Sequence, residues 1–212
     1  MTSHGPARTH DLLRLSTPGA LLAVTPLPAW AEAALRRVPW VVVRRGAGSD
    51  DLIPVGVRGP LRAQRFAGFA AIGAIADRRS PEELVGPAHG RRDAVPAVTA
   101  LTRVAPVLTR HGRRWGPGGS VGFELATGVP AATPASDLDL IIRQDDRLDR
   151  RAAGDLLAAL LEVAAPARID VLLETPRGGV CLAELAARPA PVLVRTAGGA
   201  RLCADPWGAE DG

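Results

Sequence analysis

The six residues Asp137, Leu138, Asp139, Leu140, Ile141 and Ile142 constrain this chain more than any other stretch. An apolar run of that length reads as a strand, and in a strand successive side chains point to opposite faces. Asp137 and Asp139 therefore share one face while Leu138 and Leu140 share the other. Such a strand packs a core on one side and presents two carboxylates to a cleft on the other. Their Cα atoms lie about 6.5 Å apart at the usual strand rise, so both heads can converge on a pair of divalent ions about 3.5–4 Å apart. Ligands made only of oxygen suit a hard cation such as magnesium.

A site of this kind calls for a third carboxylate. Arg168, Ile169, Asp170, Val171, Leu172 and Leu173 read as a second strand, with Ile169, Val171 and Leu173 on one face and Asp170 on the other. Asp170 is thus the candidate. Upstream, Gly119 and Ser120 read as a turn that opens a short helical segment. Serine ahead of a helical run caps it by default, and a helix N-terminus is also an anion site, so the two roles are compatible. An isolated Asp-x-Asp is common in strand ends and loops. The second Asp strand and the preceding Gly-Ser turn are what raise this one to a candidate site.

Gly-Ser, a short helix, Asp-x-Asp on one strand and an Asp on a later strand together resemble the catalytic core of the DNA polymerase beta-like nucleotidyltransferases. That resemblance implies that Gly119 and Ser120 hold the outer phosphates of a triphosphate and that Asp137, Asp139 and Asp170 bind two magnesium ions. A narrower resemblance rests on Gly119-Ser120, the run Leu125 to Pro130 and the run Ser136 to Leu140, which are similar to the phosphoribosyl-dephospho-CoA transferases of the malonate decarboxylase system, its holo-acyl-carrier-protein synthases. Other blocks agree in order: His10 to Leu13, Val55 to Gly59 with Arg62, Gln64 and Arg65, then Asp170, Glu174-Thr175-Pro176 with Gly178-Gly179, and Asp205-Pro206-Trp207. The likeness runs from about residue 8 to residue 207.

It implies an α+β fold, with a nucleotidyltransferase-like mixed sheet and flanking helices in the C-terminal part and a smaller α/β N-terminal domain before it. It also implies the reaction: transfer of the phosphoribosyl-dephospho-CoA group from 2'-(5''-triphosphoribosyl)-3'-dephospho-CoA to a serine of the malonate decarboxylase apo acyl carrier protein, with release of diphosphate. Asp137 and Asp139 would bridge the ions, with Asp170 nearer the attacking serine.

Composition sets the outer bounds. With 47% apolar and 23% charged residues over 212 positions, the chain is ordinary globular material able to bury a core. All 26 of its basic residues are Arg. The absence of Lys excludes a phosphate loop ending in Gly-Lys, a Schiff-base lysine and a lysine nucleophile. The pI near 10.6 reflects arginine's high pKa more than the net charge of +4. Cys181 and Cys203 have no metal-ligand spacing and read as small buried hydrophobes in a reducing compartment. No apolar stretch is long enough to span a membrane and no leader is recognisable, so a cytoplasmic protein is expected.

Along the chain, His10-Asp11 invites a catalytic reading; the plainer one is a helix or turn start with Asp11 capping backbone amides. Residues 28 to 37 read as a helix, and 40 to 44 with 53 to 57 as a hairpin. If a second helix begins near Pro60, Arg62 and Arg65 are neighbours on one face with Arg58 at the loop. Those three guanidiniums form a candidate phosphate clamp, against the alternative of a solvated basic face. Residues 86 to 93 read as a linker, separating a substrate-holding domain over 8–88 from a catalytic domain over 93–208. Residues 94 to 110 and 148 to 164 read as helices, the second with Leu156, Leu157, Leu160 and Leu161 inward and with Arg147, Arg150 and Arg151 paired to nearby Asp. Residues 113 to 117 make a poor strand by propensity.

Two rival functions are a nucleotidyltransferase with another acceptor (a small molecule, a protein hydroxyl or an RNA end) and a basic nucleic-acid-binding module. The second is disfavoured by the 3% aromatic content and by Arg scattered among acids.

Overall fold

The computed structural model describes residues 6–61, 63–86, 95–187 and 190–208. Two compact units emerge, one built on the chain up to Ser80 with Ala126–Val129, the other on Pro81–Leu125 and the chain from Pro130. The expected linker falls mostly on residues 87–93, which lie outside the described residues, as does Arg62.

The N-terminal unit is a six-stranded sheet with one helix. Its elements are β1 (Leu12–Leu15), β2 (Leu21–Leu22), α1 (Ala29–Arg37), β3 (Trp40–Val43), β4 (Leu52–Arg58), β5 (Arg65–Ala71) and β6 (Ile75–Arg79). The strand order is β2-β5-β4-β3-β1-β6, with every pairing antiparallel. Alternation puts Leu13 and Leu15 of β1, Val41 and Val43 of β3, and Val55 and Val57 of β4 into one core, which α1 closes with Ala31 and Leu35. The expected hairpin of β3 and β4 forms.

The expected helix after Pro60 does not form. Instead β4 turns directly back into β5, and Arg58 and Arg65 stand opposite each other across the hairpin. The turn wins because Gln64 closes it twice: its carbonyl accepts the Gly59 N–H at 3.0 Å and its side-chain Oε1 accepts the Leu61 N–H at 3.1 Å. The chain around His10 and Asp11 is a turn leading into a strand. There the Asp11 carboxylate accepts the Arg8 N–H at 2.8 Å.

The C-terminal unit holds a 3-10 turn (Pro81–Leu84), α2 (Pro96–Arg110), β7 (Arg114–Pro117), α3 (Gly119–Thr127), β8 (Leu138–Arg143), α4 (Arg150–Ala164), β9 (Ile169–Thr175), β10 (Gly178–Cys181), α5 (Leu182–Ala187), β11 (Val192–Thr196) and β12 (Gly199–Cys203). Its sheet runs β12-β11-β10-β9-β8-β7. Only β8 and β9 are parallel, because α4 carries the chain back to the starting edge between them. The sheet is therefore mixed.

One face of this sheet is apolar. Leu138, Leu140 and Ile142 of β8, Val171 and Leu173 of β9, Val180 of β10, and Val192 and Val194 of β11 pack against α2, α4 and α5. Pro106 lies inside α2 without ending it, since Pro106 and Thr102, whose carbonyl loses its partner, sit on the exposed side. In α4 the inward stripe is narrower than expected: Leu156 and Leu160 are buried, whereas Leu161 is half exposed. The basic cluster at its start also pairs differently. Arg147 bridges to Asp205, Arg150 Nε donates to the Ala186 carbonyl at 3.2 Å, and Asp149 caps the helix by accepting the Ala152 N–H at 2.8 Å.

Candidate active site

The other face of the C-terminal sheet carries the charge. β7 forms at the sheet edge despite its composition, since an edge strand can hold Pro117 at little cost to the ladder. Gly116 has its own reason: a Cβ there would run into the Pro81 carbonyl, so only glycine lets the 3-10 turn lie across β7. That turn is fastened by Glu82, which accepts from Arg143 Nε at 2.9 Å. Burial by itself would raise the Glu82 pKa, but the Arg143 hydrogen bond, a backbone hydrogen bond and the Arg143 and Arg114 charges outweigh it, leaving the carboxyl below its ordinary value.

β7 feeds straight into the Gly-Ser turn. The Gly118 N–H donates to the Asp139 carbonyl at 2.9 Å, and the Gly122 N–H donates to the Gly118 carbonyl at 2.7 Å, opening α3. Gly119 has φ +54°, and a Cβ on it would overlap Asp139 Oδ2. Both facts demand glycine. Gly119 and Ser120 are thus held directly against one of the two carboxylates that begin β8, with Ser120 buried.

The loop into β8 is ordered by its own side chains. Glu124 accepts the Ala131 and Ala132 N–H groups at 2.8 and 2.9 Å, and a Thr133–Ser136 turn closes with reciprocal hydrogen bonds at 2.9 Å. Asp137 follows at once, and Asp139 sits two residues further along the same face. Both are half-buried, whereas Leu138 and Leu140 are fully buried.

The parallel register then brings Asp170 beside Asp139: the two are Cα partners on β8 and β9, about 4.8 Å apart by ordinary strand spacing. Asp170 is exposed. Asp137 is turned toward Arg168, whose Nε donates to it at 2.7 Å. The backbone thus gathers all three expected carboxylates on one face. As their side chains stand, no group of three His, Cys, Asp or Glu among the described residues encloses a common ion position. The donor chemistry of the three carboxylates, all hard oxygen ligands, fits a hard divalent cation.

Two neighbours of the site escaped the reading of the sequence. Arg168 was visible as a strand residue, and its spacing of two from Asp170 already put both on one face; its pairing with Asp137 needed the β8–β9 register. Cys181 is not the buried hydrophobe expected. It is half exposed, with Sγ 4.0 Å from Asp170 Oδ1, while Cys203 does lie in the core. Arg58 and Arg65 belong to the N-terminal unit. Among the described residues, no helix is long and apolar enough to cross a membrane.

Comparison with known proteins assigns both parts of the chain. Residues 8–81 match the family model of the phosphoribosyl-dephospho-CoA transferase MdcG N-terminal domain, and residues 84–206 match that of the MdcG C-terminal domain. A phosphoribosyl-dephospho-CoA transferase of Pseudomonas putida (strain W619) is 44% identical over 93% of this chain and 94% of its own length. One of Azotobacter vinelandii is 42% identical over 93% of both chains, and one of Pseudomonas aeruginosa is 39% identical over 93% of this chain and 92% of its own. No solved structure matches the chain.

Proposed function

The chain belongs to the MdcG family of phosphoribosyl-dephospho-CoA transferases, and from that membership we propose that it transfers the phosphoribosyl-dephospho-CoA group of 2'-(5''-triphosphoribosyl)-3'-dephospho-CoA to a serine of the malonate decarboxylase apo acyl carrier protein. It is a transferase by family; the donor, the carrier-protein acceptor and the division of labour below are our reading. The observation that carries this reading is the register of Asp139 beside Asp170 on parallel strands, with the Gly119-Ser120 turn pressed against Asp139.

In the reaction the serine Oγ forms a bond to the phosphorus nearest the donor's outer ribose. The bond from that phosphorus to the diphosphate breaks, and the serine proton leaves to a base. Asp137, Asp139 and Asp170 would hold two magnesium ions, which when bound would offset the charge of the triphosphate. Gly119 and Ser120, at the N-terminus of α3, are placed to receive the departing diphosphate through backbone N–H groups. Asp170, the most open of the three carboxylates, is the group an incoming hydroxyl meets and the one to take its proton. Arg168 holds Asp137 in place. In the N-terminal unit, Arg58 and Arg65 oppose each other on the β4–β5 hairpin as an anion-binding pair. Catalysis of this type is positioning and electrostatics more than covalent chemistry.

The test is the intact mass of purified apo acyl carrier protein after incubation with the enzyme, the donor and magnesium. The expected result is a gain equal to the phosphoribosyl-dephospho-CoA group, absent with Asp137→Ala. An unchanged mass with a verified donor and carrier would overturn the proposal.

A further inference from the structure

The charged face of the C-terminal sheet does not stay charged. One row of side chains crosses it from the candidate site to the far edge. Ile141 of β8 lies under the Gly-Ser turn, 3.3 Å from where a Gly118 Cβ would stand. It is in register with Leu172 of β9, Leu172 with Cys181 of β10, and Leu193 of β11 with Leu202 of β12. The pairing of Val180 with Val194 puts Cys181 and Leu193 in the same row. None of these side chains belongs to the core on the opposite face. Leu172, Cys181 and Leu193 are half-buried, and Leu202 is 66% exposed.

A single exposed leucine is ordinary, but an unbroken row of four half-open apolar side chains is not. Its shape narrows what can lie on it. From Leu172 to Leu202 it crosses three strand spacings, about 14 Å, yet along the strands it is one residue wide, about 7 Å. A helix, about 10–12 Å across, would overhang it on both sides. A slender extended chain would not. One flank of the row is the Asp139–Asp170 pair; the other is Arg143, Glu174, Gly179, Arg195 and Ala200 in register, so polar side chains border the apolar row on both sides.

We propose that this row is the subsite for the pantetheine arm of the donor, a slender linear chain whose gem-dimethyl and methylene groups can lie on the row while its amides and hydroxyl meet the polar flanks, and which is attached to the same molecule whose triphosphate the Gly-Ser turn would hold. The inference rests on the donor assignment above. The row starts under the phosphate turn and passes Cys181, whose Sγ is 4.0 Å from Asp170 Oδ1. The adenosine and diphosphate of the donor lie between its triphosphoribosyl group and the arm, and would span from the turn to the row.

The test compares two donors, 2'-(5''-triphosphoribosyl)-3'-dephospho-CoA and the same compound lacking its pantetheine phosphate arm, on wild-type enzyme and on Leu202→Glu and Leu193→Ser. Leu202 is exposed, so a charge there leaves the fold intact. With the full donor, both substitutions are expected to raise KM about tenfold with kcat little changed. With the truncated donor, wild type and variants should have the same KM. Equal KM increases with both donors, or none with either, would overturn the subsite while leaving the transferase reading standing. So would a rise in the KM of the carrier protein alone, which would make the row a protein-docking face. A wild-type enzyme that uses neither donor would overturn the reading itself and the subsite with it.

Discussion

Asp11 and Asp170 each sit on a six-stranded sheet, and their surroundings are opposite. Asp11 is wholly buried, takes an ion pair from Arg78 at 2.6 Å and accepts the Arg8 N–H. Asp170 is exposed, beside a second carboxylate in register and a thiol. A neutralised, buried carboxylate is a structural element, expensive to break once formed. Like charges collected on an open face gain nothing for folding, which agrees with the ligand site proposed there. The same contrast separates His10-Asp11 from Asp-Leu-Asp in the sequence, where both invite a catalytic reading.

The contrast can be broken at either end. The largest effect is expected at Asp11: Asp11→Ala removes the fully buried half of an ion pair with the half-buried Arg78 and should cost about 3–5 kcal/mol, read as a lower urea midpoint, while the transfer rate per folded molecule is kept. A stability loss under 1 kcal/mol joined to a collapse in rate would reverse the two assignments. Asp139→Asn should do the opposite, lowering kcat about 10²–10³-fold with the melting temperature unmoved. Gly119→Ala lies between them, because the new Cβ meets both a left-handed backbone and Asp139 Oδ2. It should cost about 1–3 kcal/mol of stability and, by displacing Asp139, much of kcat as well.

Smaller effects sharpen the picture. Arg58 and Arg65 face each other as like charges, which costs a hairpin stability. Arg65→Gln should therefore stabilise the N-terminal unit by a few tenths of a kcal/mol while raising the donor KM several-fold, roughly 3–10; unchanged KM would remove the pair from the phosphate-binding set. The smallest effect concerns the Glu82–Arg143 pair. Its carboxyl pKa is depressed on folding, so its contribution is present above the ordinary value of 4.5 and is lost as pH falls below it. Glu82→Gln should lower stability by a small constant amount at neutral pH and flatten the acid limb between about pH 5 and 3, where the two proteins converge. A difference between the two proteins that grows with pH above 6 would contradict the sign.

Much of the candidate site was legible because strand alternation is a local rule. Leu138 and Leu140 inward, Asp137 and Asp139 outward, and Asp170 opposite Val171 all follow from period two. The hairpin of β3 and β4 was legible for the same reason, with its turn residues between two apolar runs. Where expectation failed, a tertiary or turn contact outweighed the local pattern. Pro60 and the Arg spacing suggested a helix, but Gln64 closes a turn and β5 gains a full ladder against β4. Gly116 and Pro117 look wrong for a strand until β7 is seen at an edge beneath the Pro81 carbonyl. Cys181 looks like core until β10 turns it to the open face.

The chain alone therefore determined which residues could share a face and which chemistry they could offer: three carboxylates, a Gly-Ser turn and no lysine. Only the tertiary structure decided that Asp139 lies beside Asp170, that Gly119 must be glycine because Asp139 is there, that Arg168 takes Asp137, and that an apolar row leads away from them. Pairing register depends on contacts between segments 31 residues apart, as Asp139 and Asp170 are, and α4 bridges that distance. A sliding window along the sequence contains the alternation of each strand, but not the packing of α4 that sets one strand against the other.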